Sequence, residues 1–182
     1  AKLLQSTQEY YTRKSSEWVE GDGTPAYLIK AEAALEAERA RVGHYLNSAS
    51  EARLLSVVET EILAKREAAL LEKEGSGLLV LLANDKLDDL NRMFRLFSKK
   101  DDWLVPIANI VKEHITNVGG ECVERREARI NEGAGGAAEE RGEAKKDTKE
   151  KNDDPEFIKE LLALHDKYTA MVEHQFGSNA LF

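Results

Sequence analysis

The sequence contains little cysteine and proline and has no long apolar run. Cys122 is the only cysteine, so neither an intrachain disulfide nor a zinc site built from paired cysteines can form, and a reducing compartment suits the chain. No apolar stretch reaches the ~18 residues of a membrane span, and residues 1–6 lack the apolar core of a secretory signal. We therefore expect a location in the cytoplasm and nucleus. Because the chain lacks an initiating Met, we expect it to be a piece of a longer polypeptide.

The charge balance is acidic, with a formal net charge of −8 and an isoelectric point of about 5.2. This charge disfavours nucleic acid and anionic membranes as partners. Hydrophobic residues make up 42% and charged residues 33% of the 182 residues, which is typical of a folded, soluble chain. Three prolines and an abundance of Ala, Leu, Glu, Lys and Arg predict an all-α fold.

Apolar stripes at helical spacing predict the first helices. A helix over about residues 5–19 is followed by Thr24, a good N-cap, with Pro25 at the first helical position. This second helix is predicted to end near Leu46, and Leu46 is predicted to be buried. Glu38 falls on the same face as the apolar side chains, so partial burial against Arg41 is a possibility that the spacing leaves open.

The next segment begins with a capping box of Ser48 and Glu51 and is predicted to be one long amphipathic helix. Gly75 and Gly77 are its predicted exit. The apolar run over residues 78–82 fits a buried strand by pattern, but its Leu and Ala content favours a helix.

Two further helix starts are marked by aspartates. Asp85 is predicted to cap one helix, and Asp102 to open another whose first turn contains Pro106. The Gly119-Gly120 pair is predicted to end that helix.

A change in composition divides the chain. From Asn131 to Asp154 no apolar side chain is larger than Ala, so we predict a flexible, charged Gly/Ala-rich insert over residues 131–153 between helical regions at 1–130 and 154–182. Asp154-Pro155 then starts a final amphipathic helix, whose partner face must come from before the insert.

The sequence offers no catalytic or metal-binding constellation. No carboxylate lies three residues before any histidine, so the Glu-x-x-His pairs of helical metal sites are absent; the histidines are His44, His114, His165 and His174. His114 and His165 lie on or beside apolar stripes and are interpreted as core-edge residues with a satisfied hydrogen bond. Cys122 is interpreted as a packing thiol, and residues 133–136 as linker glycines rather than a phosphate loop. We therefore predict no catalytic, cofactor-binding or metal-binding residues, and no cofactor.

One basic and aromatic stretch fits two interpretations. Basic residues alternate with phenylalanines between residues 92 and 100, which is compatible with gripping a single-stranded nucleic acid. Helical spacing instead places the phenylalanines on the core stripe and the basic residues on the solvated side. The acidic net charge favours the second interpretation. The residues concerned are Arg92, Phe94, Arg95, Phe97, Lys99 and Lys100.

Several segments, in order, resemble the N-terminal region of cullins, the elongated scaffolds of multisubunit ubiquitin ligases. Residues 8–16 contain a Tyr-Tyr pair, residues 38–46 read Glu-Arg-Ala-Arg-Val-Gly-His-Tyr-Leu, and residues 81–93 contain Asp-Leu-Asn-Arg-Met. His-Ile at 114–115 and Leu-His-Asp-Lys-Tyr at 164–168 also fit. The resemblance covers most of the chain except the insert, and it is greatest for the subgroup that serves F-box receptors.

This resemblance implies stacked antiparallel helical bundles of the cullin-repeat type, with parts of the second and third repeats present. It implies protein partners only, in ubiquitin-dependent protein degradation. In the full-length protein these would be an F-box-receptor adaptor, a RING subunit and a ubiquitin-like modifier, whose sites would lie outside residues 1–182.

The predicted function is that of a non-catalytic, rigid spacer in a cullin-RING ubiquitin ligase, so the chain is not expected to be an enzyme. A helical tethering or adaptor module of the vesicle-tether kind is the alternative, because such rods share this composition. A ferritin-like enzyme is disfavoured by the missing Glu-x-x-His pairs.

Overall fold

Amphipathic segments fold into helices throughout the part of the chain that the structure describes. The computed structural model describes residues 2–45, 48–135 and 155–182, with side chains for 2–41, 51–131 and 155–182. These ranges contain α-helices and one 3-10 helix but no strand, and the predicted all-α fold is therefore confirmed. The α-helices are α1 (Lys2–Gly21), α2 (Thr24–Tyr45), α3 (Ser48–Ile62), α4 (Glu67–Leu71), α5 (Leu78–Ala83), α6 (Leu87–Phe97), α7 (Asp101–Gly135) and α8 (Pro155–His174).

A single apolar core joins two groups of helices. In the first group, α1 and α2 pack along α3; in the second, α7 packs against α5, α6 and α8. Helix α6 also packs on α2, so one cluster of buried side chains extends from Tyr11 to Phe176. The largest fully buried side chains are Tyr27, Leu28, Ile62, Leu63, Leu70, Leu78, Leu82, Leu90, Met93, Leu104, Phe97 and Phe176.

The predicted long helix from Ser48 to the glycines is wrong, because α3 ends at Ile62 and a 3-10 helix and the short α4 follow. Side chains of α2 bind the backbone where the helix is interrupted. The buried hydroxyl of Tyr27 donates to the Ile62 carbonyl oxygen at 2.6 Å, and the hydroxyl of Thr24 donates to the Leu70 carbonyl oxygen at 3.0 Å. Thr24 therefore ties α2 to α4 instead of capping its own helix.

The turn between α4 and α5 depends on glycine. Gly75 has a positive φ of 72°, which favours glycine. At Gly77 a Cβ atom would lie 2.4 Å from the Leu71 carbonyl oxygen, so no other residue fits there without a shift of backbone. The apolar run that follows is helix α5, as predicted.

Helix α7 continues without interruption past Gly119-Gly120, so the predicted helix end at this pair is wrong. Neither glycine has the positive φ of a helix terminator. Contacts with α8 on both sides of the pair hold the helix together, from His114 to Cys122. Pro106 is in the second turn rather than the first, because α7 begins at Asp101. Its missing N–H costs α7 one backbone hydrogen bond.

Asp85 does not cap α6, which corrects the prediction for this residue. The helix begins at Leu87, and its N-cap Lys86 makes no side-chain capping bond. Asp85 instead has a positive φ of 52° and forms an ion pair of 2.7 Å with Lys167 of α8.

The composition boundary at residue 131 falls inside α7, which continues to Gly135. Residues 136–154, which include the remainder of the predicted insert (136–153), lie outside the described residues, as does the side chain of Leu46. Helix α8 begins at Pro155, as predicted, and packs on α7.

Candidate functional site

Among the histidines whose side chains are described, His114 joins two helices, whereas His165 and His174 are exposed. His114 Nε2 lies 2.8 Å from the Tyr168 hydroxyl, across the α7–α8 contact, which confirms the predicted core-edge role. Burial, together with the positive charge of Lys167, lowers the pKa of His114. His165 is exposed, and its Nδ1 lies 3.2 Å from Oδ1 of the neighbouring Asp166, so its predicted core-edge role is wrong. His44 lies outside the described side chains.

Within the described ranges no group of three or more His, Cys, Asp or Glu side chains is arranged to hold a metal ion. Cys122 is buried, with its sulfur 3.5 Å from Glu160 Oε2, so it occupies a packing position between α7 and α8. None of the helices in the described part of the chain has the length and hydropathy needed to span a bilayer.

Basic residues of α6, and Lys99 in the turn after it, are engaged by carboxylates of the first helix group. Glu32 of α2 binds Arg92 at 3.1 Å and Arg95 at 2.9 Å. Lys99 lies 2.5 Å from Glu59 of α3. These ion pairs compete with any anionic ligand for the same cations, and they support the structural interpretation of residues 92–100 over the nucleic-acid one.

A buried carboxylate joins α1 and α2. Glu38 is only 4% exposed. Its Oε1 accepts hydrogen bonds from the Tyr11 hydroxyl at 2.7 Å and from Arg41 Nη1 at 2.8 Å. The possible pairing of Glu38 with Arg41 is confirmed. Burial, followed by the hydrogen bond to Glu38, raises the pKa of Tyr11 and keeps its proton available for donation.

A second buried carboxylate joins α1 and α3. Glu61 is 1% exposed and accepts hydrogen bonds from Gln8 at 2.9 Å, Thr12 at 2.9 Å and Lys65 at 2.6 Å. Burial alone would raise the pKa of Glu61, but the hydrogen bonds outweigh it and lower the pKa. Sequence reasoning missed Glu61, although its position three residues after Val58, on the core stripe of α3, is a signal of burial.

Arg66 extends this polar contact beyond the end of α3. Its Nε donates to the Ser15 hydroxyl at 3.0 Å, and its Nη2 donates to the Ser16 hydroxyl at 2.7 Å and to the Thr12 carbonyl oxygen at 3.2 Å. The buried carboxylates and Arg66 thus form one line of polar contacts along α1, which we call the α1 polar seam. The seam fixes helices to one another and leaves its carboxylates no access to a substrate.

The comparisons with known proteins agree on one family. A family model described as the Cullin alpha solenoid domain matches residues 1–182. The chain is 37% identical over 180 residues to putative cullin-like protein 1 of Arabidopsis thaliana, covering 99% of this chain and 23% of that protein. Cullin-1 of Oryza sativa subsp. japonica is 41% identical over 151 residues, covering 83% and 19%, and Cullin-3A of Arabidopsis thaliana is 32% identical over 180 residues, covering 99% and 22%. The chain therefore spans less than a quarter of the length of these relatives.

Proposed function

The chain belongs to the cullin family, and we propose that it is a rigid spacer segment of a cullin-RING ubiquitin ligase. In this role it makes and breaks no bonds. It holds the substrate-receptor end of the ligase at a fixed distance from the catalytic end. The family match over all 182 residues is the observation that carries the proposal, and it leaves the vesicle-tether alternative without support.

The contacts between helices support rigidity. Polar side chains tie together helices that are far apart in the sequence. Gln8 of α1 donates a hydrogen bond to Glu61 of α3, and Arg92 of α6 forms an ion pair with Glu32 of α2. A continuous buried core underlies these contacts. In a stack of helical repeats each unit contacts its neighbours, so a shape fixed locally is passed along the rod.

The finer parts of the proposal concern subgroup, partners and location. We propose that the full-length protein serves F-box receptors through an adaptor and binds a RING subunit and a ubiquitin-like modifier, all at sites outside residues 1–182. Relatives named Cullin-1 and Cullin-3A both match, at 41% identity over 151 residues and 32% over 180 residues, so the choice of subgroup rests on the sequence segments alone. The proposed location is the cytoplasm and nucleus.

An insertion experiment tests the spacer. A flexible Gly-Ser segment placed between Gly119 and Gly120 interrupts α7, and in the full-length ligase it should slow substrate ubiquitination while adaptor and RING binding persist. The matched control is the same insertion after Lys146, in the stretch without large apolar side chains, which should leave the rate unchanged. Equal rates for both variants and the wild type would refute the rigid-spacer role.

A further inference from the structure

An exposed serine lies in the turn between α6 and α7. Ser98 directly follows the last residue of α6, and α7 begins at Asp101, so residues 98–100 form the α6–α7 turn. Among the described side chains, Ser98 and Ser178 are the exposed serines or threonines that lie outside the helices. Protein kinases bind their acceptor segments in extended form, so a hydroxyl in such a turn is reached with less local unfolding than one within a helix.

Ser98 lies between two cations that join the helix groups. Lys99, the next residue, lies 2.5 Å from Glu59 of α3, and Arg95, one turn earlier, lies 2.9 Å from Glu32 of α2. The Ser98 hydroxyl donates to the Arg95 carbonyl oxygen at 3.1 Å, a local contact that involves no other helix. A charge placed on Ser98 therefore acts on the contacts between the two helix groups.

The charged residues around Ser98 favour one class of kinase. Asp101 and Asp102 lie three and four residues after Ser98, and both are exposed. Arg95 lies three residues before it, but Glu32 already binds this guanidinium. Because charge patterns around the acceptor decide which kinase binds, the aspartates favour a kinase with a basic substrate groove. Ser178, in contrast, has no carboxylate within four residues on either side.

We infer that Ser98 is a phosphorylation site for an acid-directed serine kinase and that the phosphate loosens the contact between the two helix groups. The Ser98 Oγ would attack the γ-phosphorus of ATP, the bond to the β–γ bridging oxygen would break, and ADP would leave. The hydroxyl proton would pass to a base of the kinase. The inference rests on the proposed function, since loosening affects a ligase only where this segment is a rigid spacer.

Two electrostatic effects would cause the loosening. A phosphoserine carries a charge of about −1.5 to −2 at neutral pH, and its oxygens would compete with Glu32 and Glu59 for Arg95 and Lys99. Ser98 is also the C-cap of α6, where negative charge opposes the helix dipole. Both effects weaken the attachment of α6 to the helices of the first group.

Phosphorylation of the 182-residue chain by purified casein kinase 2 with ATP tests the site, with phosphate at Ser98 measured by mass spectrometry. Replacement of both aspartates, Asp101→Asn with Asp102→Asn, should reduce phosphate at Ser98 about tenfold, because the charge pattern that selects the kinase is lost. Arg95→Gln is the matched control and should not reduce it. Wild-type chain without phosphate at Ser98, or phosphorylation that depends on Arg95 instead of the aspartates, would overturn the inference.

Thermal unfolding tests the consequence. The kinase-treated wild type should unfold about 2–4 °C below a Ser98→Ala variant treated in the same way, which also removes the effect of phosphate at other sites. Ser98→Glu should lower the midpoint in the same direction, and the neutral Ser98→Gln should not. In a Lys99→Met background the effect of Ser98→Glu should become smaller, because one of the two cations is absent.

A rise in stability is the opposite outcome. Arg39 of α2 lines the same cleft as Arg95 and Lys99, so a phosphate that bound Arg39 would hold the helix groups together. Unchanged midpoints, or a rise that Arg39→Gln abolishes, would overturn the loosening. Neither measurement depends on ubiquitin transfer, so failure of this inference and failure of the spacer role in the insertion experiment are distinguishable.

Discussion

The Tyr11 hydroxyl donates a 2.7 Å hydrogen bond to the buried carboxylate of Glu38. These residues come from two separate segments by which the sequence resembles cullins, the Tyr-Tyr pair of α1 and the Glu-x-x-Arg of α2. The segments are 27 positions apart and meet in the fold. Their contact gives a physical reason for the residue types at both positions, since a buried carboxylate requires donors.

Loss of this hydrogen bond should destabilise the chain. Tyr11→Phe removes the donor and leaves Arg41 as the only described partner of Glu38 Oε1, so we expect a loss of about 1.5–3 kcal/mol in the free energy of unfolding. Urea denaturation measures this change in the free energy of unfolding. As a control, Tyr10→Phe changes the adjacent, exposed ring and should have little effect. Similar destabilisation by both variants would show that the Glu38 hydrogen bond is not the cause.

Glu61 should make stability depend on pH. Its pKa is lower in the folded chain than the ordinary value of 4.5, so the stabilisation from the charged form is complete above about pH 4.5 and is lost as the pH falls through the folded value. Glu61→Gln should therefore be less stable than the wild type at pH 7, and the difference should shrink below pH 4.5. Denaturant midpoints measured from pH 7 to pH 3 would show this. A difference that is independent of pH would contradict it, and the exposed Glu17→Gln serves as control.

Glu67 should behave with the opposite sign. Burial raises its pKa, and Oε1 of Glu67 has no hydrogen-bond partner in the described structure. Charged Glu67 is therefore unfavourable in the folded state, and stability recovers as the pH falls through its raised pKa. We expect Glu67→Gln to be more stable than the wild type at pH 7, by a few tenths to about 1 kcal/mol, with the gain disappearing on acidification. Destabilisation at pH 7 would show that the carboxylate has a favourable role.

The ion pair between Glu59 and Lys99 should couple the two helix groups. The side chains are 15% and 20% exposed, and their charged atoms are 2.5 Å apart. A double-mutant cycle with Glu59→Gln and Lys99→Met should give a coupling of on the order of 1 kcal/mol that decreases with added salt. The Arg13–Glu17 pair, at 3.9 Å and largely exposed, is the control and should show no resolved coupling. Equal coupling for both pairs would contradict a special role for the contact between α3 and the turn that follows α6.

The sequence was sufficient to predict which segments are helical, because apolar residues recur at helical spacing. It predicted the start of α8 at Pro155 and the helical state of residues 78–82. It also raised the possibility that Glu38 pairs with Arg41, because positions three apart share a helix face.

Interruptions of helices were harder to predict, because tertiary contacts decide them. No glycine or proline near Ile62 marks the end of α3. The Ile62 carbonyl oxygen instead accepts a hydrogen bond from Tyr27, which is 35 residues away in the sequence. Gly119-Gly120 has the local signal of a helix end, yet packing against α8 carries α7 through it. Asp85 likewise has the local signal of a helix cap, but it forms an ion pair with Lys167. Lys167 belongs to α8, which is far away in the sequence, so residue spacing could not predict this contact.

The rigidity of the segment is the central claim, and a distance measurement between its two helix groups tests it most directly. In a Cys122→Ser background, spin labels at Arg13→Cys of α1 and Asp166→Cys of α8 occupy side chains that are 69% and 79% exposed. A rigid spacer predicts a single narrow distance distribution that is the same in the isolated chain and in the assembled full-length ligase. A broad or multiple distribution, or one that moves when the ligase assembles, would contradict it.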